Sequence, residues 1–472
     1  MISVYTNKYD ISIKIYISTD LDESNMSQRN VTDSRLTRRR ILKTGAGLAA
    51  AGGFAGCSGQ DSSGENTDSG TSTEGTSGGS AGEIEIVHRW NRGKDGRAMA
   101  ALLEGFAQEH PDISVLENSV PANNDGLGTI IRDRMLNDDP PSTWQNWPGK
   151  ALTEFVEADL LGDIEADVWD EAGLKDKYKS GPQRAAQVQG TYVTVPLNIH
   201  RLNPMFYNID VVEQAGVDPT SINSPTALKE AMDKVESDTD AAGMSNSTKA
   251  GWTVLQLWET LLIATAGPDG YEDIVGGNAG NYQDAIQEAL QLTADYSQYF
   301  TDDAGSIEWP AAARKVVSGE AAFFQHGDWA AGIFLSLDDF NYKEDWDFVA
   351  FPGTEGSYSV VMDSFPYPAP NRSPEASKKF LRYVGSTDAQ ERFNPIKGSI
   401  PPRTDVSLDP FSSYQADEIK SFRNSDAQPR AMAHGLALVP GAASDMKKIM
   451  SDFAANWDAG SVSDRVMDIL SG

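Results

Sequence analysis

From residue 83 onward the chain alternates short apolar runs with apolar stripes at helical spacing. Ile84, Ile86 and Val87 predict a strand, and after the loop 88–93 the residues Ala98, Met99, Leu102, Leu103 and Phe106 predict a helix that His110-Pro111 ends. Ile113 and Val115 open a second strand, and Leu127, Ile130, Ile131 and Met135 a second helix. Strand, helix, strand, helix with short loops is the α/β pattern of a mostly parallel sheet. Trp144-Gln145-Asn146-Trp147-Pro148-Gly149 precedes a helix carrying Leu152, Phe155 and Val156. Residues 187–195 read as a hairpin that runs into Pro196-Leu197-Asn198-Ile199-His200, followed by a strand at Met205-Phe206-Tyr207-Asn208 and a short helix ending near Gly216. Ser224-Pro225 opens another helix with a cap and a proline in its first turn. Helical stretches at 251–265 and 281–299 make the centre mostly α. Gly319 ends one more helix before Ala321-Ala322-Phe323-Phe324, a buried strand that opens on Gly327-Asp328-Trp329. Strand-like runs return at 347–351 and 358–363, Ser373-Pro374 caps a helix, and 443–458 is amphipathic.

The pattern before residue 83 is different. Arg38, Arg39 and Arg40 precede a mildly apolar run, 41–57, that ends in Cys57, the single cysteine of the chain. A membrane span needs about 20 strongly apolar residues, and this Gly/Ala-rich run is too short and too soft. A charged region, a short apolar region and small residues before a break point make an export signal. Paired arginines fit the twin-arginine route, and Phe54-Ala55-Gly56-Cys57 reads as a lipobox in which Cys57 is lipidated. Residues 1–57 are thus a twin-arginine lipoprotein signal, with Met26 an alternative start. Residues 58–82 are almost wholly Ser, Gly, Thr and acidic, a composition that cannot bury enough surface to order itself. As a tether they reach roughly 25–30 Å. Gly45-Ala46-Gly47 and Gly78-Gly79-Ser80-Ala81-Gly82 imitate nucleotide and hydrolase motifs, but neither follows a strand.

Composition narrows the function. The 472 residues allow two or three domains. One cysteine excludes a disulfide framework and Cys-based metal sites. The formal charge is −30, from 69 acidic and 39 basic residues, and the carboxylates are spread along the chain. Such a surface repels nucleic acid and fits a protein adapted to high salt.

Ten tryptophans carry the candidate chemistry. Trp90, Trp144, Trp147, Trp309 and Trp329 fall at strand ends or helix starts, where ligands bind in open α/β sheets. An indole face stacks on the C–H face of a sugar ring, and nearby polar side chains bond its hydroxyls. Trp252 and Trp258, within a helical stripe, read as core. The five histidines form no metal-ligand pair, and no catalytic constellation emerges, although a carboxylate pair is a property of the fold and stays open.

Trp90, the segment VPLNIHRLNPMFYN at 195–208, Gly327-Asp328-Trp329-Ala330, Met362-Asp363-Ser364-Phe365 and Lys397-Gly398-Ser399-Ile400-Pro401 together resemble the extracellular carbohydrate-binding proteins of ABC importers, above all their glucose/mannose-binding branch. The resemblance covers nearly everything from Glu83 onward. It implies a two-lobed α/β fold of the periplasmic-binding-protein type II, with the ligand cleft between a first lobe (83–198 plus 361–395) and a second (199–360 plus 396–472). It implies stacking by Trp90, Trp309 and Trp329, hydroxyl contacts from Asp328, Asp363, Lys397 and His434, and an edge lined by Trp144, Gln145 and Trp147. His200, beside the first crossover, is either hinge or ligand contact. The implied function is capture of a monosaccharide, glucose or a related hexose, by lobe closure, and delivery to an ABC permease. The protein would be a monomeric, lipid-anchored binder on the outer face of the membrane, with no enzymatic activity, cofactor, metal or nucleic-acid partner. Arg89 replaces an aromatic residue frequent in the branch, and Trp147-Pro148-Gly149 stands where His-Pro-Gly is frequent, which leaves the sugar open. The rivals are an exported glycosidase and a binder of oligosaccharide, polyol or glycerol phosphate, the last kept open by the basic residues Arg89, Arg92, Lys94 and Arg97.

Overall fold

The computed structural model describes residues 82–120 and 126–471. The arginine run, Cys57 and the linker up to residue 81 lie outside them, so the export and lipidation expectations are not addressed by it. Among the described residues no helix is long and apolar enough to cross a membrane.

Two sheets organise the body. The first is parallel, with Glu83–His88 between Ser114–Ser119 and Thr143–Trp144. Ile84, Ile86 and Val87 are fully buried, as expected of a central strand covered on both faces. The helix Gly93–Glu109 buries Ala98, Met99, Leu102 and Phe106, a stripe at 3.6-residue spacing that packs on the helix Thr387–Lys397. The second sheet is mixed, in the order Trp346–Ala350, Pro204–Asn208, Ala321–Gln325, Ala242–Ser245, with only the last pair parallel. The parallel pattern predicted from the first strands therefore holds for one sheet and not for the other.

An antiparallel ribbon, Thr194–Arg201 with Val360–Pro366, links these bodies. Val195, Leu197 and Phe365 belong to the apolar core around the first sheet, whereas Ile199, Val360 and Met362 pack with Ile400 and Ile419 in a separate cluster. The ribbon is irregular between Asp363 and Ser364, where the strand register shifts.

Around the second sheet the largest core gathers the helices Gly251–Asp273, Gln283–Tyr296 and Pro440–Ala454. Most predicted elements are present within a few residues. The helices Thr387–Lys397, Ser413–Asn424 and Ala459–Ser471 escaped the pattern reading. Ser224 caps its helix as expected, by accepting from the Ala227 amide. Ser373 does not: its hydroxyl donates to the Glu83 carbonyl, tying the helix Pro374–Val384 to the first strand.

Candidate functional site

The strand Ala321–Gln325 is apolar up to its last residue and wholly buried, so it ends where polar chemistry begins: His326-Gly327, then a single helical turn at Asp328–Ala330. The Trp329 ring folds back over Gly327. A Cβ at that position would fall inside the ring, which makes glycine the residue that fits.

Trp329 lies edge-on to three imidazoles: His200 at 5.6 Å, His326 at 5.3 Å and His434 at 5.2 Å between ring centroids. His326 also stacks against Trp309, at 4.8 Å and 22°, and against Phe324, at 5.1 Å and 11°. His434 in turn meets Trp147 at 5.7 Å and Trp252 at 5.8 Å. Trp147 comes from the loop after the first sheet, and the Arg89 guanidinium lies over it at 5.4 Å. The cluster thus joins rings from both bodies, with Trp147, Trp309, Trp329 and Trp252 all partly exposed. Burial holds His326 at a pKa of about 3 and keeps His200 and His434 well below the usual imidazole range. All three rings are neutral at neutral pH, each with one donor and one acceptor nitrogen.

Polar side chains frame the rings. Asp328 bonds His200 Nδ1 at 2.6 Å and accepts from the Arg201 amide at 3.0 Å. Both of its oxygens are therefore used within the protein, and burial pushes its pKa up to about 7. The aspartate orients His200, whose Nε2 has no protein partner. Asp363 accepts from Gln145 Nε2 at 2.9 Å and Asn198 Nδ2 at 3.1 Å, and Gln145 Oε1 receives the Arg89 amide. Lys397 pairs with Asp95 at 3.2 Å. Lys94 is drawn below its ordinary pKa by burial and by the Lys397 charge, against the pull of Asp95 and Asp328. Its ammonium lies against Gly332 and Gly398, where added Cβ atoms would come within 2.9 and 3.0 Å.

Of the residues singled out from the sequence, His200, Asp328, Trp329, Trp309, His434 and Trp147 come together in this cluster. Gln145 and Asp363 are bonded to one another beside it. Lys397 stands with Lys94 and Asp95. Trp90 and Trp144 do not join the rings. Trp90 is 4% exposed and packs on Phe393 and Phe365; Trp144 is 1% exposed and packs on Phe155. In the other direction, Trp252, which its helical stripe assigns to the core, lies against His326, at 5.4 Å, and His434. Its place in the first turn of its helix was the available signal. Trp258 is core, as read. Among the described residues no group of His, Cys, Asp and Glu could hold a metal ion.

Three comparisons bear on this arrangement. Residues 90–391 match the model of the bacterial extracellular solute-binding protein family. The xylose/arabinose-binding protein XacG of Haloferax volcanii is 36% identical over 88% of this chain and 93% of its own. An uncharacterised ABC-transporter extracellular-binding protein of Pyrococcus horikoshii is 31% identical over 82% of this chain and 87% of its own. Among solved structures, the bacterial solute receptor AcbH, described as having an exclusive preference for β-D-galactopyranose, superposes with a TM-score of 0.70 at 19% identity, over 82% of this chain and 98% of its own. That likeness establishes the two-lobed fold.

Proposed function

The chain belongs to the bacterial extracellular solute-binding protein family, and we propose that it is the sugar-binding component of an ABC importer, capturing a neutral monosaccharide between its lobes. The observation that carries this reading is the ring cluster: four partly exposed tryptophans around three neutral imidazoles, drawn from both bodies. Indoles supply faces for a pyranose ring, and the imidazoles and Lys94 supply donors and acceptors for its hydroxyls. Binding favours the closed form because only there do both lobes touch the ligand. The Haloferax relative is a xylose/arabinose-binding protein, which widens the expected ligand from glucose to aldoses in general, with xylose and arabinose in the first rank.

A glycosidase is less well supported, since both oxygens of Asp328 and of Asp363 are engaged within the protein. The lobes run over 83–198 plus 361–395 and over 199–360 plus 396–472, and the chain is tethered outside the cell through Cys57 after twin-arginine export. Calorimetry in molar KCl against xylose, arabinose, glucose, galactose and glycerol 3-phosphate tests the reading. Saturable one-to-one binding of an aldose with the sugar recovered unchanged is the expected result. Consumption of the sugar, or binding of the phosphate alone, would replace the proposal.

A further inference from the structure

One face of the long helix Gly251–Asp273, kinked at Gly267-Pro268, looks into the ring cluster. Trp252, Gln256 and Thr260 are spaced four apart and so stand one above another on it. Trp252 meets His326, and about two turns on Thr260 Oγ1 accepts from Gln325 Nε2 at 3.2 Å. By its spacing Gln256 falls on the same helix face, one turn from each of those two contacts. It is 1% exposed, as is His326.

Neither Gln256 polar atom and neither His326 ring nitrogen has a hydrogen-bond partner. The Gly327 backbone is close enough to His326 to raise its pKa against the effect of burial, without reaching the geometry of a full hydrogen bond. Other buried polar atoms in the molecule lack partners, including His200 Nε2 and His434 Nε2, but each of those side chains has only one such atom. Among the described residues, only Gln256 and His326 have two side-chain polar atoms that are both buried and unmatched. Buried polar groups in folded proteins are satisfied in the great majority of cases, and two wholly unmatched side chains at one place point to an external partner.

Resting on the sugar-binding reading above, we infer that Gln256 and His326 form the polar floor of the site and are specificity-determining residues that read hydroxyl groups at the deep end of the ligand. The chemistry matches. The amide offers donors and an acceptor and the neutral imidazole one of each, while each sugar hydroxyl both donates and accepts. A floor of this kind selects for hydroxyls and against ligands that present hydrogen or methyl there, because the analogue leaves buried groups unpaired.

The test uses the full chain as wild type, Gln256→Leu and His326→Phe, with His326→Asn as a smaller polar companion. Calorimetry against the tightest aldose and its monodeoxy analogues is paired with thermal unfolding of the unliganded proteins. Expected is at least a tenfold loss of aldose affinity in Gln256→Leu and His326→Phe. The unliganded variants should unfold at the wild-type temperature or above it, because an unmatched polar group has been removed. One deoxy analogue should be penalised in the wild type and not in the variant that lost its reader. Should His326→Phe fail to fold, Gln256→Leu and His326→Asn carry the same cycle. Equal aldose affinity in wild type and variants, or an equal deoxy penalty in both, overturns the inference while the sugar-binding reading stands. A wild type that binds no aldose overturns both.

Discussion

Trp329 has one neighbour that permits its position and three that define it. Gly327 leaves room for the ring, and His200, His326 and His434 surround its edges. Gly327→Ala would push the indole out of place without touching any ligand atom. The expected result is a loss of sugar affinity of about tenfold or more, ~1.4 kcal/mol, with a normal fold by circular dichroism. Unchanged affinity would mean that Trp329 does not stack on the ligand. Asp363 is a different case. Its two oxygens serve the buried Gln145 and Asn198, so Asp363→Ala strands two amides at about 1–3 kcal/mol each. That variant should lose stability in urea as well as affinity, and a purely functional defect at full stability would refute the frame assigned to it. Trp144 shows why such roles are hard to read in a sequence: it sits at a strand end like the others, yet Phe155 and its neighbours close over it.

At the scale of elements, the helix Gly251–Asp273 decides much of the site, and it is the element whose faces the sequence hides. Between Val254 and Ile263 it is buried all the way round, so there is no polar face to set against an apolar one and no stripe to assign. Glu259 shows what the helix does. Its carboxylate accepts from the Met432 amide at 2.6 Å and the Tyr271 hydroxyl at 3.1 Å, fixing the turn that carries His434. Burial raises its pKa from 4.5 to about 7. Folding therefore takes up a proton between those values, and the stability linked to this group is present at low pH and lost as the pH rises through 7. Glu259→Gln should remove up to ~1.4 kcal/mol per pH unit of that dependence, measured as urea unfolding from pH 4.5 to 7.5. A variant profile parallel to that of the wild type would exclude a raised carboxyl there. His326 acts in the opposite sense: with its pKa held at about 3, the stability of its neutral form is present above the ordinary imidazole range and lost on acidification.

For the whole molecule, a formal charge of −30 on 472 residues opposes compaction until ions screen it. The Debye length falls from about 10 Å at 0.1 M salt to about 3 Å at 1 M, so the unfolding temperature should climb across that range of KCl. A flat or falling profile would argue against salt adaptation. Lobe closure has its own signature: sugar should lower the radius of gyration in X-ray scattering, and a radius indifferent to a saturating ligand would exclude closure as the binding step.

The sequence by itself determined the alternation of strands and helices, the end of the Ala321–Gln325 strand on Gly-Asp-Trp, and the family. These depend on local periodicity, on turn chemistry and on motifs kept in order along the chain. It also marked most of the ring residues, because a tryptophan beside a strand end is visible as such. Only the tertiary structure decided which tryptophans face one another, that Asp328 uses both oxygens inside the protein, and that the polar atoms of Gln256 and His326 are buried without partners. Those facts depend on contacts between segments far apart in the chain, where burial and the presence of a partner, rather than residue type, set what a side chain does.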